Sequence, residues 1–280
     1  MRGRLSILLM AKSALIKLLF CKPRGCLQTC AVLVIAALLG SVSAAAAEDE
    51  TESDNLLAVD NFSATIWLTT DSVDRGISNT DEGPAVQASL DWGYNGFYLG
   101  VWGSNTRYSD AGIEIDYYGG YNWEWHGVSF DAGALYYNYP GEDANRSDGL
   151  DPDGGQEADY WETSFAVSHT FDGWLTPVAA VTYFYSPDFF GEDGDAHALK
   201  GDLKLSLPYE FVLGVETGYQ DVAGGKLSTG YDYLWWRIGV SRVWAGFNLD
   251  LSYHEVDDKL EACDVDLCDA RAVFTVSREF

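Results

Sequence analysis

The chain has 280 residues, with 43 acidic side chains against 17 basic ones and a formal charge of −26. That balance repels polyanions and excludes nucleic acid as a partner. Phe, Trp and Tyr make up 14% of the residues, far too many for a merely solvated acidic tail. The acidity either attracts cations or keeps the chain soluble in a saline habitat.

Residues 1–47 read as a secretory signal peptide. Arg2, Arg4, Lys12, Lys17, Lys22 and Arg24 form a cationic lead, Ala31 to Gly40 an apolar core, and Ala45-Ala46-Ala47 a small-residue cleavage site. The lead is long, so Met10 is an alternative start, and an uncleaved anchor helix is a second alternative with a core short for a bilayer. Cleavage removes six bases and no acid, taking the formal charge from −26 to −32. Residues 48–60 then form an acidic periplasmic leader.

From Asn61 the pattern has period two. Phe62, Ala64, Ile66 and Leu68 share one face of a first strand, with Trp67 discordant on the other. After a loop from Asp71 to Gly83, Val86, Ala88, Leu90 and Trp92 oppose Gln87, Ser89 and Asp91. Asn95-Gly96 turns the chain, and Phe97, Leu99 and Val101 resume the apolar face.

This stretch carries a resemblance. Asp71, Arg75-Gly76-Ile77-Ser78, Pro84-Ala85-Val86 and Gly96-Phe97-Tyr98 with Gly100 and Trp102 resemble the hallmark region of the TorF-type family of proteobacterial outer-membrane porins. The match spans about forty residues. It implies location and fold more than a solute.

The alternation continues downstream without help from the resemblance. Strands are expected at Ile113 to Glu124, Val128 to Asn138, Asp159 to His169, Leu175 to Tyr185, His197 to Leu207, Phe211 to Gln220, Tyr233 to Val243, from Phe247 to about His254, and Ala270 to Phe280. That makes roughly twelve strands joined by alternately short and long connections. The fold class is therefore all-β, a transmembrane antiparallel up-and-down barrel over 61–280, in the outer membrane of a Gram-negative bacterium. A strand in hydrocarbon must pair every backbone group, so the sheet closes on itself. Trp92, Phe97, Trp123, Phe130, Phe171, Trp174, Phe211, Trp244 and Phe247 cluster at the short turns as one interfacial girdle. Terminal Phe280, with Phe274 and Val276, resembles the signal read by the barrel assembly machinery; Arg278 stands where an aromatic is usual. The remaining partners are outer-membrane lipid and lipopolysaccharide, with homo-oligomerisation left open.

The polar faces name the expected pore lining: Asp91, Glu114, Asp116, Asp131, Glu162, Asp202, Glu216 and Asp250, with Lys200, Lys204, Arg237 and His254. Acids outnumber bases. This favours a diffusion channel for small hydrophilic solutes, weakly selective for cations, over a plugged structural or adhesive barrel. Arg75, a cation among Asp71, Asp74 and Asp81, either salt-bridges its own loop or belongs to a loop folded inward as a constriction.

Ser252 and His254 share a face, as in outer-membrane lipases. Residues two apart on a strand stand about 6–7 Å apart, and this face looks into the lumen, so no catalytic residue is assigned. Cys263 and Cys268 form a local disulfide. The acidic loop 148–157 lacks EF-hand spacing, and no metal or cofactor is expected.

Overall fold

In the computed structural model, residues 55–107, 111–142, 157–257 and 267–280 are described. The signal segment 1–47, the acidic loop over 148–156 and Cys263 lie outside them.

Twelve strands close into one antiparallel barrel in the ring order β1-β14-β13-β12-β11-β10-β9-β8-β7-β6-β5-β4. They are β1 (Phe62–Thr69), β4 (Ala85–Tyr94), β5 (Phe97–Asn105), β6 (Ile113–Trp125), β7 (Val128–Asn138), β8 (Tyr160–Thr170), β9 (Val178–Ser186), β10 (Ala196–Ser206), β11 (Phe211–Val222), β12 (Tyr231–Trp244), β13 (Phe247–Val256) and β14 (Arg271–Glu279). Two further strands of two residues each, β2 (Val73–Asp74) and β3 (Ile77–Ser78), pair with each other in the first loop.

Period-two patterning fixes this architecture because a one-residue slip would turn a strand's entire apolar set inward. Along β4 the buried Ala85, Gln87 and Ser89 alternate with the exposed Val86, Ala88 and Leu90. Asn95 and Gly96 both have positive φ, at 48° and 88°, the backbone of the two-residue turn that matches strand twist. The expected start of the seventh barrel strand at Leu175 is too early. It begins at Val178, because Pro177 cannot donate to a ladder.

The barrel is apolar outside and polar within. Leu90, Leu99, Leu199, Leu251 and Val181 are more than half exposed on the outer wall, while Gln87, Glu114, Gln220 and Thr275 are nearly fully buried. Aromatics form two outer belts. At the short turns, Phe97 tilts against Tyr121 at 4.7 Å and Trp123 stacks on Phe130 at 5.3 Å. Near the other rim, Tyr136 meets Trp161 at 4.7 Å and Trp236 meets Tyr253 at 5.4 Å. This second belt was not anticipated, because its aromatics are spread through alternating runs and no turn marks them.

The leader is tied down where it reaches the barrel. The Trp92 indole donates to the Leu56 carbonyl at 2.7 Å, and the Asn61 amide to Asn55 and Leu56. The ring closes between β1 and β14 over a short register, Thr65 opposite Glu279 to Thr69 opposite Thr275. Ala64 and Phe280 extend this seam by exchanging two backbone hydrogen bonds, at 3.2 and 2.9 Å. Arg278, placed where an aromatic was expected, lies over the Phe247 and Phe280 rings at 5.3 and 5.1 Å, so it joins the belt through cation–π contact.

Candidate functional site: a lumen crossed by its first loop

The loop between β1 and β4 enters the barrel. Asp71, Ser72, Val73, Ser78 and Thr80 are almost fully buried. Asp71 organises the bend, since its Oδ1 accepts from the Ser78 hydroxyl at 2.7 Å and the Thr80 hydroxyl at 2.9 Å. Its Oδ2 accepts from Arg271 on β14 at 2.9 Å. On the other flank, the Asn79 carbonyl accepts from the Arg107 amide and the Thr106 hydroxyl, both at 2.8 Å.

Arg75 stands at the tip, at φ 47° in the β2–β3 turn. Its hydrogen bonds run to the far wall, not to the aspartates of its own loop. Nη2 donates to Glu162 Oε2 on β8 at 2.6 Å, Nη1 to Gln220 Oε1 on β11 at 2.9 Å, and the guanidinium covers the Phe184 ring of β9 at 4.6 Å. Glu162 is held from its other side by the Tyr137 hydroxyl at 3.1 Å. Burial works against the Arg75 charge, but Glu162, Tyr137 and Asp74 together more than offset it, so its pKa is raised above the ordinary arginine value. Gly76, at φ +85°, packs on the next part of the wall. A Cβ there would come within 2.5 Å of Val256 Cγ2 and 3.0 Å of Trp235 Cβ. The loop therefore leaves the β1–β4 side and touches down on β8, β9, β11, β12 and β13.

The twelve residues named from alternation all take the inward side. Glu114, Asp116, Asp131, Glu162, Lys200, Glu216, Arg237, Asp250 and His254 are buried there, and Asp91, Asp202 and Lys204 are half-buried. Many are joined. Lys200 lies 3.5 Å from both Asp202 and Glu216, and Arg237 lies 2.7 Å from Asp250. His254 is not a freely solvated lumen histidine. It is 6% exposed, and its Nε2 meets the Ser252 hydroxyl at 3.1 Å, closer than strand rise alone suggested. Among the described residues no acceptor meets His254 Nδ1, so the pair lacks the third group that orients a nucleophilic dyad.

Sequence reading passed over the aromatic side chains that lie flat on the inner wall. The Tyr118 hydroxyl on β6 reaches across β5 to Asp91 on β4. The Tyr98 hydroxyl on β5 reaches across β6 to Asp131 on β7 at 3.0 Å. Each ring crosses a glycine, Gly100 under Tyr118 and Gly120 under Tyr98, where an added Cβ would overlap the ring. In the same way the Trp235 indole lies over Gly218 and donates to Glu216 at 2.9 Å. The legible signal was an inward Gly one strand away from an inward aromatic. Arg271 was missed too, although its parity, odd against outward Phe274 and Val276, turns it inward.

Among the described residues no group of three or more His, Cys, Asp or Glu side chains could hold a metal ion. Cys268 is half-buried beside the cluster of Phe184, Ala198, Tyr233, Trp235 and Val256.

Comparison with known proteins yields one family and several distant folds. The KdgM porin is 11% identical over 78% of this chain and 98% of its own, with a TM-score of 0.49. For the NanC porin the values are 9%, 77%, 97% and 0.48, and for OccAB1 of Acinetobacter baumannii 10%, 80%, 65% and 0.41. No curated protein matches. The family shown by sequence does not carry the TorF-type name: residues 57–280 match the family described as bacterial protein of unknown function, Gcw_chp. The match takes in every barrel strand and the inserted loop, and the chain belongs to the Gcw_chp family.

Proposed function

We propose that this chain is a porin-like channel of the Gram-negative outer membrane, passing small hydrophilic solutes by diffusion with a weak preference for cations. The observation that carries the reading is the inverted wall: apolar side chains and two aromatic belts outside, ionised and hydroxyl side chains inside. A water-soluble sheet of this size would bury its apolar face. A closed one in hydrocarbon presents it to lipid. Carboxylates exceed bases on the inner wall, and a lumen of that sign concentrates cations.

Outer-membrane lipid and lipopolysaccharide are the surroundings this exterior fits, and the barrel assembly machinery is the partner its terminal Phe280 fits. Association into homo-oligomers stays part of the proposal. So does the Cys263–Cys268 bridge, which is supported by a disulfide at Cys268.

The inserted loop narrows the lumen in this reading, with Arg75 as its latch. It also favours a second reading, in which loop and ion pairs fill the barrel and the exposed loops do the work. Purified protein in planar bilayers under a potassium chloride gradient separates the two. Stepwise conductance with a reversal potential of cationic sign is expected, and silence at every voltage would sink the channel.

A further inference from the structure

Lysine and arginine are confined to three strands of the barrel wall, β10, β12 and β14. Lys200, Lys204, Arg237 and Arg271 turn inward there, among Asp202, Glu216, Asp250 and the Asp71 of the loop. Arg242 and Arg278 turn outward. Among the described residues they are the only lysine or arginine side chains on the outer wall, and both stand at the short-turn end, near the ends of β12 at Trp244 and of β14 at Glu279. Arg242 is opposite Leu249 on β13, and Leu249 is opposite Val276, two residues before Arg278. Two strand spacings across and two residues along separate their Cα atoms by about 12 Å.

Rings hold both guanidiniums, and nothing of opposite charge does. Arg242 lies over Phe211 of β11 at 5.2 Å, leaning away from Arg278, which lies over Phe247 and Phe280 at 5.3 and 5.1 Å. Among the described residues neither forms an ion pair or hydrogen bond with a carboxylate. Glu279 follows Arg278 with the opposite parity, and Glu210 precedes Phe211 in the turn without pairing with Arg242. Arg242 Nε is buried and has no hydrogen-bond partner. A ring occupies a guanidinium face and leaves its in-plane N–H edge, the fork that matches a phosphate. The long-loop rim is the reverse. Its outward Tyr136, Tyr185 and Tyr253 donate to Asp159, Asp195 and Glu255 at 2.7, 3.1 and 3.1 Å, and no lysine or arginine joins them on the described outer wall.

We propose that the outer wall of β11 to β14 binds anionic phospholipid in the leaflet at the short-turn end, one headgroup phosphate on Arg242 and a second on Arg278. The proposal rests on the outer-membrane reading above. The aromatic belt sets both guanidiniums at headgroup depth, and their spacing and opposite lean give each its own lipid. Phosphatidylglycerol carries a phosphate with no cation beside it, so the attraction is uncancelled. In phosphatidylcholine an ammonium group on the same headgroup offsets it. One basic side chain at the membrane surface favours the anionic lipid about fivefold.

Phosphatidylglycerol and phosphatidylcholine with the same acyl chains give the test. The barrel is refolded in a non-ionic detergent with equal amounts of the two, and the lipids that stay bound are counted by native mass spectrometry. Two molecules of phosphatidylglycerol are expected, each about fivefold enriched over phosphatidylcholine. Arg242→Gln and Arg278→Gln should each keep one, and the double variant should hold the two lipids equally. Lys204→Gln/Lys226→Gln removes as much charge from the lumen and a loop and should keep both. Heat-modifiable migration on a gel confirms that each variant is folded. Equal retention of the two lipids by the unaltered barrel, a preference that survives the double variant, or one lost in the lumen and loop variant overturns the proposal and leaves the outer-membrane reading standing. Dimers that come apart in the double variant would make this face a contact between copies of the chain, with the same result. A chain that inserts into vesicles of neither lipid ends both readings.

Discussion

At the scale of single residues, the lumen is governed by a few buried charges whose partners come from distant parts of the chain. Arg75 and Glu162 are 87 residues apart and meet at 2.6 Å, and truncating one member of such a pair leaves the other stranded at a cost of about 3–5 kcal/mol. Arg75→Ala is expected to release the loop tip and raise single-channel conductance. It should also strengthen cation preference, because Glu162 then faces the lumen unneutralised. Glu162→Gln should release the same tip without that change in selectivity, and the pair of reversal potentials tells the two apart. Gly100→Val has a different cause. The new side chain displaces the Tyr118 ring from Asp91, with overpacking worth about 1–3 kcal/mol, and a lower temperature for loss of heat-modifiable migration is expected. The inward position of most of these residues was legible from parity alone. Their pairing was not, because period two tells which wall a side chain occupies and nothing about which strand stands across from it.

At the scale of elements, strand existence was legible and loop fate was not. Twelve alternating runs left little freedom: most starts shift by one or two residues, as at Tyr231 for Tyr233, and the largest shift, Val178 for Leu175, yields to the proline at 177. By contrast, β2 and β3 have two residues each, too short to display any period. What marks their insertion is composition: Ser78 and Thr80 are small hydroxyls that satisfy buried backbone and Asp71, the Ser72 hydroxyl accepts from Gln87, and Gly76 leaves room for Val256 and Trp235. Replacing 72–82 by a short glycine-serine linker is expected to leave the barrel folded and enlarge its conductance. Unchanged conductance would show that the constriction lies elsewhere. A milder change, Gly76→Val, adds a branched side chain at positive φ against Val256. It should lift the tip from the wall, and faster protease cleavage within the loop would report it.

At the scale of the whole molecule, the inside-out distribution of polarity predicts behaviour in detergent. The folded barrel should migrate faster than its boiled form, since the closed ladder resists the detergent until heat breaks every seam at once. Loss of that difference in a Leu90→Asp/Leu99→Asp variant is expected, because charges in mid-hydrocarbon cost about 2–4 kcal/mol for the worst side chains and less for carboxylates. Global charge was readable early as acid excess. The absence of lysine and arginine from β1 and β4 to β9 was readable as well, since it needs only the order of strands and the positions of those residues, but it acquires meaning only once the ring is known to close β4 against β1 and β14 against β1.

That closure has a temporal side. The strand that completes the ring, β14, follows the other eleven in chain order, and Phe280 just beyond it exchanges two backbone hydrogen bonds with Ala64 near the start of the first strand. A chain interrupted anywhere before β14 keeps two open edges, however well its other strands have paired. Open edges in lipid or in transit bind whatever strand comes near. Completion of the ring is thus tested by geometry, at one short seam, before the barrel can persist.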